Sequence, residues 1–185
     1  GKLKALYIMG ENLVVNYPNG KKIKEACKKI DFIVVQDTFL TETAQLADVV
    51  LPAATFAEKE GTFTNMGMTV QRLNKAVKPV GDAKPDWQII CSLAQKMGHS
   101  CSYVSPKEIL TEIETISPLY AGINYDRLKR KEFHWASSVS NKNKSTKYTF
   151  SMVKPRSSEI RKNKDFPFVL LTGASLNHQG TFSRH

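Results

Sequence analysis

The chain has 185 residues, of which 41% are hydrophobic and 24% charged, and it carries a formal net charge of +10. At roughly 100–200 residues per domain there is room for one domain and the start of a second, and the composition excludes disordered and collagen-like classes. No apolar run approaches the ~18 residues of a membrane span, so direct membrane insertion is not expected.

The positive charge is local. Between Arg127 and Lys164 there are 12 Lys and Arg against only Glu132 and Glu159, and the rest of the chain sums to zero. The Ser/Asn/Lys-rich stretch at 137–146 reads as a solvated linker. Its charges are not interleaved with aromatics, so no nucleic-acid partner is expected.

In chain order, Leu3–Met9 is a short apolar run closed by Gly10, the pattern of a buried strand ending in a tight turn. Ile23, Ala26, Cys27 and Ile30 recur at helical spacing and predict an amphipathic helix over 21–30. The β-branched run Phe32–Val35 predicts a strand covered on both faces. A brief helix is expected over Thr41–Ala47 and a third strand over Asp48–Leu51, stopped by Pro52. Strands alternating with helices imply an α/β fold with a parallel sheet. Val70–Leu73 reads as extended, and Trp87, Ile90, Cys91, Ala94 and Met97 form the stripe of a second helix ended by Gly98. After Ser117 the pattern loosens, and β-type alternation returns at Lys147–Met152 and Phe166–Thr172. The expected domains are an α/β region at 1–116, a basic linker at 117–146, and a β-rich unit beginning at 147 and running to 185.

Cys27, Cys91 and Cys101 are too few and too scattered for a disulfide framework or a zinc site. Cys27 and Cys91 lie on apolar stripes and read as buried, reduced thiols. His99, His134, His178 and His185 are dispersed, so no metal ligation is expected.

In an open α/β sheet, ligands bind beyond the carboxyl ends of the strands. That rule selects Gly10 and Asn12 after the first strand, Gln36 and Asp37 after the second, and Lys59 beyond the third. Gly10 permits close approach of a ligand to the backbone. A carboxylate such as Asp37 can accept two parallel hydrogen bonds from guanine N1–H and N2–H, and Lys59 suits a phosphate. Each has a structural alternative: Asp37 or Thr41 can cap the following helix, Asp86 can be an N-cap, and Lys59 sits in a charged cluster with Glu58 and Glu60. Near the other end, Thr172, Gly173, Ser175, His178 and Thr181 form a donor-rich loop able to cradle a pyrophosphate or a polar heterocycle. There is no G-x-G-x-x-G, P-loop or G-x-S-x-G motif.

Taken together, the segments Leu6–Asn12, Val34–Ala44, Leu46–Ala54, Ala57–Asn65, Val70–Arg72, Lys84–Trp87, Phe166–Gly173 and His178–Thr181 resemble the molybdopterin oxidoreductase family, in particular its formate dehydrogenase large subunits. The family pattern is broken at Leu13, Ala174 and 67–69. The resemblance implies a later portion of such a subunit: the end of a Rossmann-like dinucleotide-binding region followed by the start of a C-terminal β-barrel.

It further implies two molybdopterin guanine dinucleotides (bis-MGD) carrying molybdenum or tungsten. Gly10, Asn12, Gln36, Asp37, Thr41, Lys59 and Asp86 would belong to one nucleotide site, and Thr172, Gly173, Ser175, His178 and Thr181 would contact the pterin and phosphates. The implied activity is oxidation of formate to carbon dioxide. The metal-ligating and catalytic residues, and the cysteines of the parent's 4Fe-4S cluster, would lie outside this segment. The implied partners are the remainder of the catalytic subunit and iron–sulfur electron-transfer subunits, in the cytoplasm. The same resemblance admits a second reading, a structural and docking domain like that of the iron–sulfur subunit of NADH:quinone oxidoreductase.

Overall fold

The computed structural model describes residues 2–135 together with 151, 152, 165, 167 and 168. The chain divides into two units, Gly1–Asn141 and Lys142–His185, and the elements below belong to the first. The strands expected at 147–152 and 166–172, and with them the start of a barrel, lie essentially outside the described residues.

A three-stranded parallel sheet is built from β1 (Ala5–Met9), β2 (Phe32–Asp37) and β3 (Val49–Pro52), with β2 in the centre. The register pairs Met9 with Gln36 and Asp37 with Pro52, so the carboxyl ends of all three strands are level. Between β1 and β2 run a short helix, α1 (Leu13–Asn16), and the amphipathic helix α2 (Gly20–Cys27). Asn19 caps α2 in a left-handed conformation, its side chain accepting from the Lys22 amide at 3.2 Å. Gly20 is required by packing, because a Cβ there would stand 2.3 Å from the Val14 carbonyl oxygen.

Ile23 and Cys27 of α2 bury their stripe against Ile8, Ile33, Val35 and Ala44. Each such aliphatic side chain, fully buried, contributes about 1.5–3 kcal/mol. The helix expected over Thr41–Ala47 is instead a single 3-10 turn, Ala44–Leu46. The physical reason is competition from side chains: Thr41 Oγ1 accepts from the Ala44 amide at 3.2 Å and Thr43 Oγ1 donates to Asn12, which commits the segment to local turns.

A second sheet, antiparallel, is built from β4 (Gly61–Thr64), β5 (Thr69–Leu73) and β6 (Phe133–His134), in the order β4-β5-β6. Helix α3 (Asp86–Lys96) forms where its stripe predicts a helix, but the buried face is turned by about one position: Ile89 and Cys91 are buried, whereas Ile90 and Met97, expected to face inward, are exposed. Helix α4 (Pro106–Ile116) is absent from the sequence reading, although Ser105, Pro106 and Glu108 spell its start: Ser105 Oγ accepts from the Glu108 amide at 3.4 Å, and Pro106 occupies the first turn. Residues 118–135, read by sequence as part of the basic connector, carry two 3-10 turns and β6. They supply Ile123, Tyr125 and Leu128 to a core that also contains Val70 and Leu110. Apolar burial there outweighs the charge of Arg127, Lys129, Arg130 and Lys131, whose long side chains remain exposed.

Candidate functional site

The carboxyl ends of β1, β2 and β3 form one rim, and polar side chains run along it in separate hydrogen-bonded sets. Val35 and Gln36 are adjacent on the central strand and both fully buried, but they point to opposite faces, as successive strand residues must. Val35 enters the apolar core, while Gln36 turns to the other face. There the Tyr7 hydroxyl donates to Gln36 Oε1, and Gln36 Nε2 donates to Asp86 Oδ1 at 2.7 Å. Lys59 Nζ closes the chain with an ion pair to Asp86 Oδ2.

Asp86 is thus the first residue of α3 but not its cap; its carboxylate is spent on residues 50 and 27 positions away in sequence. Burial alone would push that carboxyl up. The hydrogen bonds from Lys59 and Gln36 and the Lys59 charge outweigh it and hold Asp86 below the usual carboxylate range. Burial, reinforced by the Asp86 charge, pushes the Tyr7 phenol up, so Tyr7 remains a donor toward Gln36.

Asn12 is equally committed. Its Oδ1 accepts from Thr43 Oγ1 at 2.8 Å and from the Thr43 amide at 3.3 Å, and its Nδ2 donates to Glu42 Oε2 at 2.7 Å. Asn12 therefore pins the 41–43 turn to the end of β1, and Thr41 stiffens the same turn through Ala44.

Asp37 differs from these. Its Oδ1 accepts from the Thr38 amide at 2.7 Å and the Phe39 amide at 3.4 Å, and its Oδ2 carries no hydrogen bond among the described residues. Gly10, facing it across the strand ends, donates its amide to the Gln36 carbonyl at 2.9 Å. It has φ +63°, with no heavy atom within 4 Å of the position a Cβ would take. The rim is therefore open at Gly10 and presents an acceptor at Asp37.

Beside the Lys59–Asp86 pair lies a groove of about 310 Å³ lined by Lys59, Phe63, Asp86, Trp87 and Leu110. Glu58, which the sequence places in a charged cluster with Lys59 and Glu60, is buried in the structure. Glu58 Oε2 accepts from the Thr55 amide at 2.9 Å and Oε1 from the Val80 amide at 3.2 Å. The spacing Thr55-x-x-Glu58 was the signal for that capping box.

Of the expected site residues, Gly10, Asn12, Gln36, Asp37, Thr41, Lys59 and Asp86 all sit along or beside the rim. Among them Gly10 leaves open space at the strand end and Asp37 keeps one carboxylate oxygen without a hydrogen bond among the described residues. Thr172, Gly173, Ser175, His178 and Thr181 lie outside the described residues. Among the described residues no three His, Cys, Asp or Glu side chains cluster as a metal site. Among the same residues no helix is long and apolar enough to cross a membrane.

Comparison with known proteins bears on this geometry. The sequence profile described as molybdopterin oxidoreductase matches residues 1–96. The F420-dependent formate dehydrogenase subunit alpha of Methanocaldococcus jannaschii is 44% identical over 98% of this chain and 29% of its own length. The F420-dependent formate dehydrogenase 1 subunit alpha of Methanococcus maripaludis is 46% identical over 72% of this chain and 20% of its own length. The chain thus spans less than a third of these relatives. Among solved structures, acetylene hydratase from Pelobacter acetylenicus superposes with a TM-score of 0.59 at 25% identity, over 71% of this chain and 18% of that one. With half of its residues matched by the family profile and nearly all of them aligned to a formate dehydrogenase alpha subunit, the chain belongs to the molybdopterin oxidoreductase family.

Proposed function

We propose that this chain is a cofactor-binding portion of a formate dehydrogenase of the bis-MGD type. The whole protein would oxidise formate to carbon dioxide and deliver two electrons to iron–sulfur clusters, in association with electron-transfer subunits and in the cytoplasm. Identity to two formate dehydrogenase alpha subunits supports the activity. The observation that carries the binding role is the rim itself: an open backbone position at Gly10 beside an incompletely satisfied carboxylate at Asp37.

These residues fit the polar edge of a guanine nucleotide. When bound, the molybdenum or tungsten dithiolene group supplies the two-electron chemistry. The chain's own residues bind and orient it. Asp37, held by the Thr38 and Phe39 amides, turns its second oxygen to the guanine N–H donors, a charge-assisted contact with fixed direction. Gly10 lets the nucleotide come close to the strand end. Asn12 and Thr41 hold the turn that follows Asp37, so that the carboxylate does not have to be ordered at the moment of binding. Gln36 and Asp86 fix Lys59, whose remaining ammonium protons are available to a phosphate oxygen. The residues at 172–181 would take the pterin and phosphates from the other side.

The test is Asp37→Asn in the full-length protein, with guanine nucleotide and metal measured after denaturing release. An amide offers one acceptor where two are used, at a cost of about 2–5 kcal/mol for a desolvated charged contact. Nucleotide content should therefore fall more than about tenfold. Asp31→Asn, at the amino end of the same strand, should retain it. Full occupancy in Asp37→Asn would overturn the assignment of Asp37.

A further inference from the structure

Helix α3 ends in a return that brings a second cysteine back onto it. Gly98 adopts φ +85°, the His99 amide donates to the Ala94 carbonyl at 2.9 Å, and Gln95 Nε2 donates to the Cys101 carbonyl at 2.6 Å. These contacts fix the backbone of the return, and the Cys101 sulfur stands 2.7 Å from the Cys91 sulfur. Both are free thiols, Cys91 buried in the helix and Cys101 half-buried. Cys101 also lines a groove of about 740 Å³ together with Tyr103, Ser105, Glu108 and Glu112. Of the two thiols, Cys101 lines the groove and Cys91 is buried beside it. A disulfide has its sulfurs about 2.05 Å apart, so closure here needs a movement of less than about 1 Å, within the reach of side-chain torsions.

We propose that Cys91 and Cys101 form a thiol–disulfide exchange site that takes a low-molecular-weight disulfide through this groove. Cys101, having given up its proton, attacks one sulfur of the incoming disulfide. A mixed disulfide forms, and the first thiolate leaves and takes up the proton. Cys91 then loses its proton and attacks the Cys101 sulfur. The intramolecular disulfide forms, and the second small thiol departs with that proton. The two protein thiols are oxidised by two electrons, and one small disulfide is reduced to two thiols. Burial, followed by the contact with Cys101, pushes the Cys91 thiol up to about 11, which agrees with Cys101 meeting the reagent first. The bond would tie the middle of α3 to the segment that leads into Ser105, the cap of α4. Cys27, buried among Ile8, Ile33 and Val35, has no part in the exchange.

The experiment uses the full-length protein, reduced, desalted, exposed to oxidised glutathione, blocked with N-ethylmaleimide and digested with trypsin. Cleavage after Lys96 separates the two cysteines, so a disulfide links two peptides. The expected result is one linked pair carrying Cys91 and Cys101, with Cys27 recovered as its maleimide adduct after denaturation. Cys91→Ser should trap glutathione on Cys101. In Cys101→Ser, the Cys91 thiol should stay unmodified by glutathione, and this variant decides the order of attack if Cys91→Ser fails to fold. Recovery of both wild-type thiols as maleimide adducts, or glutathione retained on wild-type Cys101 as the end product, would overturn the proposal. Glutathione on Cys91 in Cys101→Ser would overturn the assigned order.

Discussion

Under the parallel sheet, Ile8, Ile33 and Val35 pack on Cys27 while the opposite face hands every buried polar atom to a partner, from Tyr7 through Gln36 and Asp86 to Lys59. At the antiparallel sheet, Val70, Leu110, Ile123, Tyr125 and Leu128 form a core whose Tyr125 ring meets an arginine. The Arg72 guanidinium lies 4.5 Å from the centre of the Tyr125 ring, with one nitrogen 3.8 Å from Glu60 Oε2. Its Nε and Nη1, and the Tyr125 hydroxyl, have no hydrogen-bond partner among the described residues. The first region is specified by direction, since each hydrogen bond admits one geometry. The second is specified by volume and by the attraction of a cation to a ring, which tolerates rotation. Substitutions that remove bulk should therefore injure the second region most, and those that remove a polar partner should injure the first.

The largest effect is expected from Leu110→Ala, which leaves a cavity in the core at the antiparallel sheet and costs about 2–5 kcal/mol. Hydrogen exchange across α4 in the full-length protein should accelerate accordingly, and unchanged protection would mean that this core does not depend on volume.

Asp86→Ala comes next. It strands the buried Gln36 amide and the partly exposed Lys59 ammonium, a loss of about 1–3 kcal/mol. Amides at the start of α3 should lose protection, whereas those of α4 should not. The same carboxylate supplies a pH signature. Because Asp86 is held below its ordinary pKa when folded, its contribution is fully present above about pH 4 and is lost as pH falls through the lowered folded value. Asp86→Asn should flatten that part of the acid limb of a stability profile. An unchanged acid limb would show that Asp86 titrates alike folded and unfolded.

The smallest effect is expected from Tyr125→Phe. The lost hydroxyl has no hydrogen-bond partner among the described residues, so thermal stability should change by less than about 1 kcal/mol. A larger loss would reveal a partner for that oxygen and make the two regions more alike.

Much of the parallel region could be read from local pattern. The β-branched run at 32–35, the stripe through Ile23 and Cys27, and the stripe through Trp87 and Cys91 correspond to β2, α2 and α3. The rim followed from strand polarity alone. What it joins did not, because Tyr7, Gln36, Lys59 and Asp86 are remote in sequence, and Asp86 and Lys59 each had a credible local use, as a cap and as a surface charge. Residues 118–135 were opaque for a different reason. Their apolar members Ile123, Tyr125, Leu128, Phe133 and Trp135 follow neither a helical nor a strand period, and the four basic residues among them dominate a composition reading. The Tyr120 and Trp135 rings meet edge to face at 5.5 Å, a long-range contact that no window reveals. Helix α4 is legible only through its cap, Ser105, Pro106 and Glu108, because its start is marked by capping chemistry.

The adjacency of Val35 and Gln36 on the central strand acts as a parity check on sheet assembly. If β2 paired one position out of step, the amide would be driven into hydrocarbon and the valine would meet the Asp86 carboxylate. Burying an amide without a partner costs about 2–7 kcal/mol on its own. A parallel sheet of uniformly apolar strands has little to distinguish one alignment from the next. Here any odd-numbered slip is penalised on both faces at once, so the strand that carries Asp37 to the rim is not delivered there with its faces exchanged.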